Sequence, residues 1–70
     1  MEFLVVLEKA EKNWAAYSPD VLGCVATGRT PEETIERYEK ALQMHLQGLR
    51  EDGLPLPEPT ATATTVELAI

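Results

Sequence analysis

Two side chains in the sequence have the chemistry of a general base and of a nucleophile, His45 and Cys24. A histidine placed beside a thiol can take its proton and activate it for attack. His45 lies near the apolar stripe of a predicted helix, between Leu42 and Leu49, and no second histidine is present to complete a metal site. Cys24 follows Gly23 at the start of a predicted strand, where a small buried hydrophobic residue is the commoner role. We interpret both as packing residues and keep an enzyme built on them as the least favoured hypothesis.

Clustered carboxylates would indicate two-metal chemistry, which needs several acidic side chains converging from different elements. The first predicted strand offers only Glu2 and Glu8, at its two ends. The remaining candidates are better explained as partners of a helix dipole and as the solvated face of that helix. They are Glu32, Glu33, Glu36 and Glu39. We therefore predict no metal site, no cofactor and no nuclease activity.

Four residues are candidates for contact with a protein partner. Trp14 and Tyr17 lie on opposite faces of one predicted strand, and aromatic anchors are enriched where proteins bind each other. Met44 lies off the apolar stripe of the helix, where two interpretations are open. Either its exposed side chain belongs to a contact surface, or its exposure has no function. Asp20 follows Pro19 in a turn, where it either bonds nearby backbone amides or directs its carboxylate at a basic partner.

Length and charge limit what this chain can do. Seventy residues form one domain, because a chain this short buries only roughly 60% of its unfolded surface. Twelve acidic and six basic residues give a net charge of −6, which repels nucleic acid and favours a basic protein partner. A lone cysteine, no signal-peptide pattern and a longest apolar run of five residues predict a cytoplasmic protein without a membrane role.

The chain begins with the patterns of three strands. Residues 2–8 are apolar on both alternating sets, residues 14–18 form a second strand, and residues 24–27 form a third after Gly23. The short polar stretch 9–13 makes the first two a hairpin.

A helix then runs from Pro31 to about Asp52. Thr30 caps it, Pro31 takes the first helical position, Glu33 completes a capping box, and Gly53 suits the left-handed position that closes the helix. Residues 54–63 are a connector rich in proline and threonine, and residues 64–70 alternate like a half-buried final strand.

The predicted fold class is α/β in the wider sense, α+β, with the order β-β-β-α-β in a single domain over residues 1–70. A right-handed crossover would lay the helix on an antiparallel meander and return the final strand parallel to the first, in sheet order 3-2-1-4. One helix covers one face of such a sheet, yet the first strand is apolar on both faces. We therefore expect another chain or the proline-rich segment on the second face.

Three blocks of the sequence resemble the N-terminal domain of the HicB antitoxin family over residues 3 to about 60. They are residues 14–24 (WAAYSPDVLGC), residues 28–33 (GRTPEE) and residues 51–59 (EDGLPLPEP). The residues that carry the motif, with structural roles, are Pro19, Asp20, Gly23, Cys24, Gly28, Thr30, Glu33 and Gly53. The resemblance implies a partial ribonuclease H-like sheet with one helix, which agrees with the order of elements read from the residues.

By this resemblance the chain would be a non-catalytic antitoxin that binds and silences a small basic HicA-type ribonuclease. Complete members carry a C-terminal DNA-binding segment that residues 1–70 do not show, so we expect no direct nucleic-acid binding by this chain. The alternative is a solitary homo-oligomer, a dimer or tetramer, that has an assembly or small-ligand role and no toxin.

Overall fold

Three antiparallel strands and one helix form the fold in the computed structural model, which describes all residues, 1–70. Strand β1 is Val6–Lys9, β2 is Trp14–Ser18, β3 is Val21–Gly28, and helix α1 is Pro31–Glu51. The predicted α+β class, with a three-strand meander followed by one helix, is confirmed.

The fourth strand predicted at residues 64–70 is not formed in the single chain. The sheet has three strands in the order β1-β2-β3, so the position beside β1 in the predicted order 3-2-1-4 is empty. Residues 62–70 are exposed and have no regular secondary structure. The alternation of Val66, Leu68 and Ile70 predicts which side chains share a face, but a strand also requires a neighbour for its backbone.

Two strands have bounds that differ from the sequence prediction. Strand β1 begins at Val6, because its register with β2 ends at the pair Val6 and Tyr17, just before the turn at residues 19–20. Strand β3 begins at Val21 instead of 24, since Val21 already pairs with Ser18. The register then shifts by a bulge in which Gly23 takes a φ of 78°. A positive φ is favourable only for glycine, which explains this residue in the motif.

Helix α1 begins and ends as predicted because both signals are local. The Glu33 amide donates to the Thr30 hydroxyl oxygen at 3.1 Å, and Glu33 Oε1 accepts from the Arg29 amide at 3.1 Å, one residue earlier than in a standard capping box. At the other end Gly53 has a φ of 68°, and the Leu54 amide donates to the Leu49 carbonyl at 2.9 Å. This closes the helix as a Schellman motif.

The core lies between α1 and one face of the sheet. Leu7, Ala16 and Ala26 form a cross-strand row against the helix, and Ala16 is fully buried. Tyr38 enters from α1 and is 1% exposed, the largest of the fully buried side chains. The residues on the alternate positions of each strand therefore point to the other face, which no helix covers.

Gly28 allows the closest approach of β3 to the first turns of α1. A Cβ on Gly28 would lie 2.6 Å from Thr34 Oγ1 and 3.0 Å from the Thr34 amide nitrogen. We expect Gly28→Ala to lower the free energy of unfolding by about 1–3 kcal/mol, as overpacking does. Urea denaturation measures this. The matched control is Gly48→Ala, where a Cβ meets nothing within 4 Å, and a helix interior gains roughly 0.5–1 kcal/mol. Equal stability of the two variants would contradict this packing.

Candidate protein interface

The sheet face opposite α1 carries an apolar row that crosses all three strands. Val6 pairs with Tyr17, and Tyr17 pairs with Val25. We call Val6, Tyr17 and Val25, together with Leu4, which shares their face by alternation, the outer face. Val25 is 63% exposed, and the other three are half-buried. An apolar row that is partly exposed and that no helix covers is typical of a binding surface on a chain this small.

Tyr17 is fixed in orientation by an acidic neighbour. Its hydroxyl donates to Glu8 Oε1 at 2.9 Å, across the β1 and β2 pair. This hydrogen bond and the negative charge of Glu8 raise the pKa of Tyr17, since both disfavour the phenolate. The outer face therefore presents an aromatic ring at its centre and a carboxylate at its border.

Met44 lies beside the outer face, around the edge of β3. Its side chain is 74% exposed, and it lines an open groove of about 410 Å³ between β3 and α1. Val25 lines the same groove. Val25 and Met44 therefore border one groove, although they belong to different elements. Through Val25, which pairs with Tyr17, the groove is continuous with the outer face.

The Asp20 carboxylate binds residues far along the chain and not the amides of its own turn. Its carboxylate oxygens accept hydrogen bonds from the Ala61 amide at 2.9 Å, from the Thr60 amide at 3.0 Å and from the Thr60 hydroxyl at 3.0 Å. The Ala61 amide, together with Thr60, holds the pKa of Asp20 below its usual range. Folding lowers the pKa of Asp20, so the stability that these hydrogen bonds contribute is fully present above the carboxyl pKa of the unfolded chain. It is lost as the pH falls through the lower pKa of Asp20 in the folded chain.

Trp14 lies on the helix side of the sheet, in the row formed with Lys9 and Gly28. Lys9 Nζ stands 6.0 Å from the centroid of the indole ring, and Trp14 is half-buried. The two aromatic residues of β2 therefore point to opposite faces, as the alternation predicts, and Tyr17 is the one on the outer face.

The candidate nucleophile and general base, Cys24 and His45, line the same groove as Met44. The Cys24 side chain is buried there, at 5% exposure. Acidic residues are spread over the exposed side of α1, where Glu33 pairs with Arg37 at 3.4 Å and Glu36 pairs with Lys40 at 3.8 Å. No three side chains of His, Cys, Asp or Glu come together as a possible metal site.

Sequence analysis does not identify Val25 as part of this surface. The alternation of side chains along β3 would have identified it, because a buried Cys24 puts the adjacent Val25 on the opposite face. The partners of Asp20 lie 40 and 41 residues away along the chain, so no local pattern in the sequence identifies them.

Comparison with known proteins gives a consistent result. Residues 3–68 match the model of a family described as HicB-like antitoxin of bacterial toxin-antitoxin systems. The chain is 31% identical over 65 residues to a protein of Helicobacter pylori strain J99 named UPF0150 protein, which covers 91% of this chain and 90% of that protein. It is also 31% identical over 58 residues to an uncharacterized 14.9 kDa protein from the rep-hol intergenic region of Haemophilus phage HP1.

The two relatives differ in length. The match to the phage protein covers 83% of this chain but 44% of that relative, so the chain spans less than half of it. No solved structure matches the chain significantly. Helix α1 does not combine the length and the apolar character that a membrane-spanning helix requires.

Proposed function

The chain belongs to the HicB-like antitoxin family, and from this premise we propose that it is an antitoxin module that binds and sterically neutralises a small basic toxin of the HicA type. Membership of a toxin-antitoxin family implies a toxin as the partner. The chain acts without turnover, in the cytoplasm, by covering the surface through which the toxin cleaves messenger RNA.

The observation that carries this proposal is the uncovered outer face. A basic ribonuclease needs an acidic partner with an apolar centre, because charge speeds encounter while burial of apolar and aromatic side chains supplies most of the affinity. The chain has a net charge of −6, and Val25 at the edge of the outer face is 63% exposed.

Within this surface we assign the toxin contact to Tyr17, Val25 and Met44. Tyr17 supplies a ring held in place by Glu8, and Val25 connects the outer face to the groove that Met44 lines. Asp20 has a different role in this proposal, since its carboxylate is already bound to residues 60 and 61. Trp14 lies on the helix side of the sheet, and its contact with the toxin, at the border of the interface, stays a prediction.

A second candidate function is a homo-oligomeric assembly module without a toxin. The exposed apolar residues at the end of the chain favour it, with Val66 at 77%, Leu68 at 70% and Ile70 fully exposed. An oligomer and toxin binding are compatible, because the end of the chain and the outer face are different surfaces. Oligomeric state alone therefore does not decide between the two functions.

Co-expression tests the antitoxin function. We expect the chain to restore growth to cells that produce a small basic HicA-type toxin, and to elute with that protein as a stable complex. Growth without rescue, together with no complex between the purified proteins, would remove the antitoxin function. A stable dimer or tetramer with no effect on the toxin would instead favour the assembly module.

A further inference from the structure

The end of the chain leaves the body of the protein as an exposed apolar segment. Residues 62–70 are all exposed, and Val66, Leu68 and Ile70 alternate with Glu67 and Ala69. The radius of gyration is 14.0 Å and the longest dimension is 49 Å, whereas a compact chain of this length has a radius of gyration of about 11 Å. A segment with this pattern requires a sheet edge to pair with and an apolar surface for one face.

The point of departure of this segment is fixed. Asp20 binds the backbone of Thr60 and Ala61, and residues 61–63 then border a depression against residues 2–5. Residues 2–5 precede β1, so the segment leaves the protein beside the open edge of β1. Asp20 therefore determines where residues 64–70 begin.

An apolar groove lies along that same edge. It has a volume of about 240 Å³ between the start of the chain and α1, and its apolar lining consists of Met1, Phe3, Val5, Ile35, Tyr38 and Leu42. Ile35 is 45% exposed there, although it belongs to the apolar stripe of the helix. We call this the edge groove. Phe3 and Val5 border both the edge groove and the depression beside residues 61–63.

The two unpaired features match in chemistry. The open edge of β1 is the four residues Val6–Lys9, and the alternating part of the segment, residues 66–70, is long enough to run along all of it. The edge groove would receive one side of the segment, and β1 has no other neighbour on that edge. Within one chain residues 64–70 are exposed and do not line the edge groove, so the same pair of surfaces can be satisfied by two copies reciprocally, in a closed two-fold arrangement.

We propose that residues 64–70 of one copy form a fourth strand beside β1 of a second copy, with Val66, Leu68 and Ile70 in the edge groove of that copy. The inference rests on the oligomeric part of the proposed function and does not depend on the toxin. The exchange supplies the strand that the sequence pattern predicts. Asp20 is its positioning residue, because its carboxylate binds Thr60 and Ala61, just before the segment begins.

Sedimentation of the full chain tests the exchange. We expect the wild type to sediment as a dimer, at twice the 7.7 kDa of one chain, and the double variant Val66→Asp, Leu68→Asp to sediment as a monomer. Both side chains are exposed in the single chain, so the monomer should remain folded by circular dichroism. Val66 and Leu68 become buried only in the dimer, so their replacement should weaken the dimer more than about 100-fold.

Ala69→Asp is the matched control, because it adds a charge on the alternate side of the same strand. It should remain a dimer. In a sample that mixes labelled and unlabelled chains, intermolecular nuclear Overhauser effects should join the Leu68 methyl groups to Leu42 and Val5.

Three results would overturn the exchange. They are a wild-type monomer at millimolar concentration, a double variant that stays dimeric, and Leu68 contacts confined to its own chain. Growth rescue is measured separately, so a monomer that still neutralises the toxin would remove the exchange and leave the antitoxin function standing.

Discussion

The Val25→Lys variant is expected to lose toxin neutralisation while keeping its fold. Val25 is 63% exposed on an edge strand, where a lysine is tolerated by the free chain. In the complex the same lysine would be desolvated at the outer face and would repel a basic partner. We expect the affinity for the toxin to fall by more than about 100-fold, or about 2.7 kcal/mol, and growth rescue to be lost.

Gln43→Lys is the control for this variant. It makes the same change in net charge on the exposed side of α1, at a position that lines neither the outer face nor the groove of Met44. We expect its affinity to stay within about threefold of the wild type, because a single exposed charge outside the contact is worth little. Calorimetric titration measures both variants. If Val25→Lys binds like the wild type, or if both variants weaken equally, the toxin contact lies elsewhere.

Tyr38→Ala is expected to unfold the chain at physiological temperature. Tyr38 is 1% exposed and packs with Ala16, Val21 and Cys24, the buried residues of the core cluster. Truncation of a large buried aromatic side chain costs about 3–5 kcal/mol, whereas 70 residues support roughly 4–10 kcal/mol of stability in total. The melting temperature should fall by more than about 12 °C.

Tyr38→Phe separates the ring from its hydroxyl. The hydroxyl oxygen is buried and makes no hydrogen bond of normal geometry, although the Cys24 thiol and the Ser18 backbone lie near it. Burial raises the pKa of this tyrosine, which keeps the group neutral. Removal of an unpaired hydroxyl should therefore leave the melting temperature unchanged or slightly higher. A large loss with Tyr38→Phe would show that the hydroxyl, and not the packing of the ring, stabilises the core.

Local signals in the sequence predicted the helix well. Thr30 and Glu33 bond within one turn, and Gly53 adopts the left-handed conformation that the pattern of a helix end requires. Both features depend on residues a few positions apart, so the sequence specifies them directly. The predicted helix end at about Asp52 and the observed end at Glu51 differ by one residue.

Pairing between distant residues was predicted less well. Strand β1 was placed at residues 2–8 from its apolar composition, but its length is set by the register with β2. The final strand has the right alternation and no neighbour in the single chain. At the interface, the alternation of β2 put Trp14 and Tyr17 on opposite faces, while the bonds from Asp20 to residues 60 and 61 depend on the path of the whole chain.

Binding of the toxin at the outer face can be tested residue by residue. The measurement is a nuclear magnetic resonance titration of the labelled chain with a small basic HicA-type toxin. We expect the amide signals of Val6, Tyr17 and Val25 to shift or broaden at equimolar partner, while those of Glu32 and Glu36 on the exposed side of α1 stay unchanged. Shifts confined to α1, with the outer-face signals unchanged in a formed complex, would contradict it.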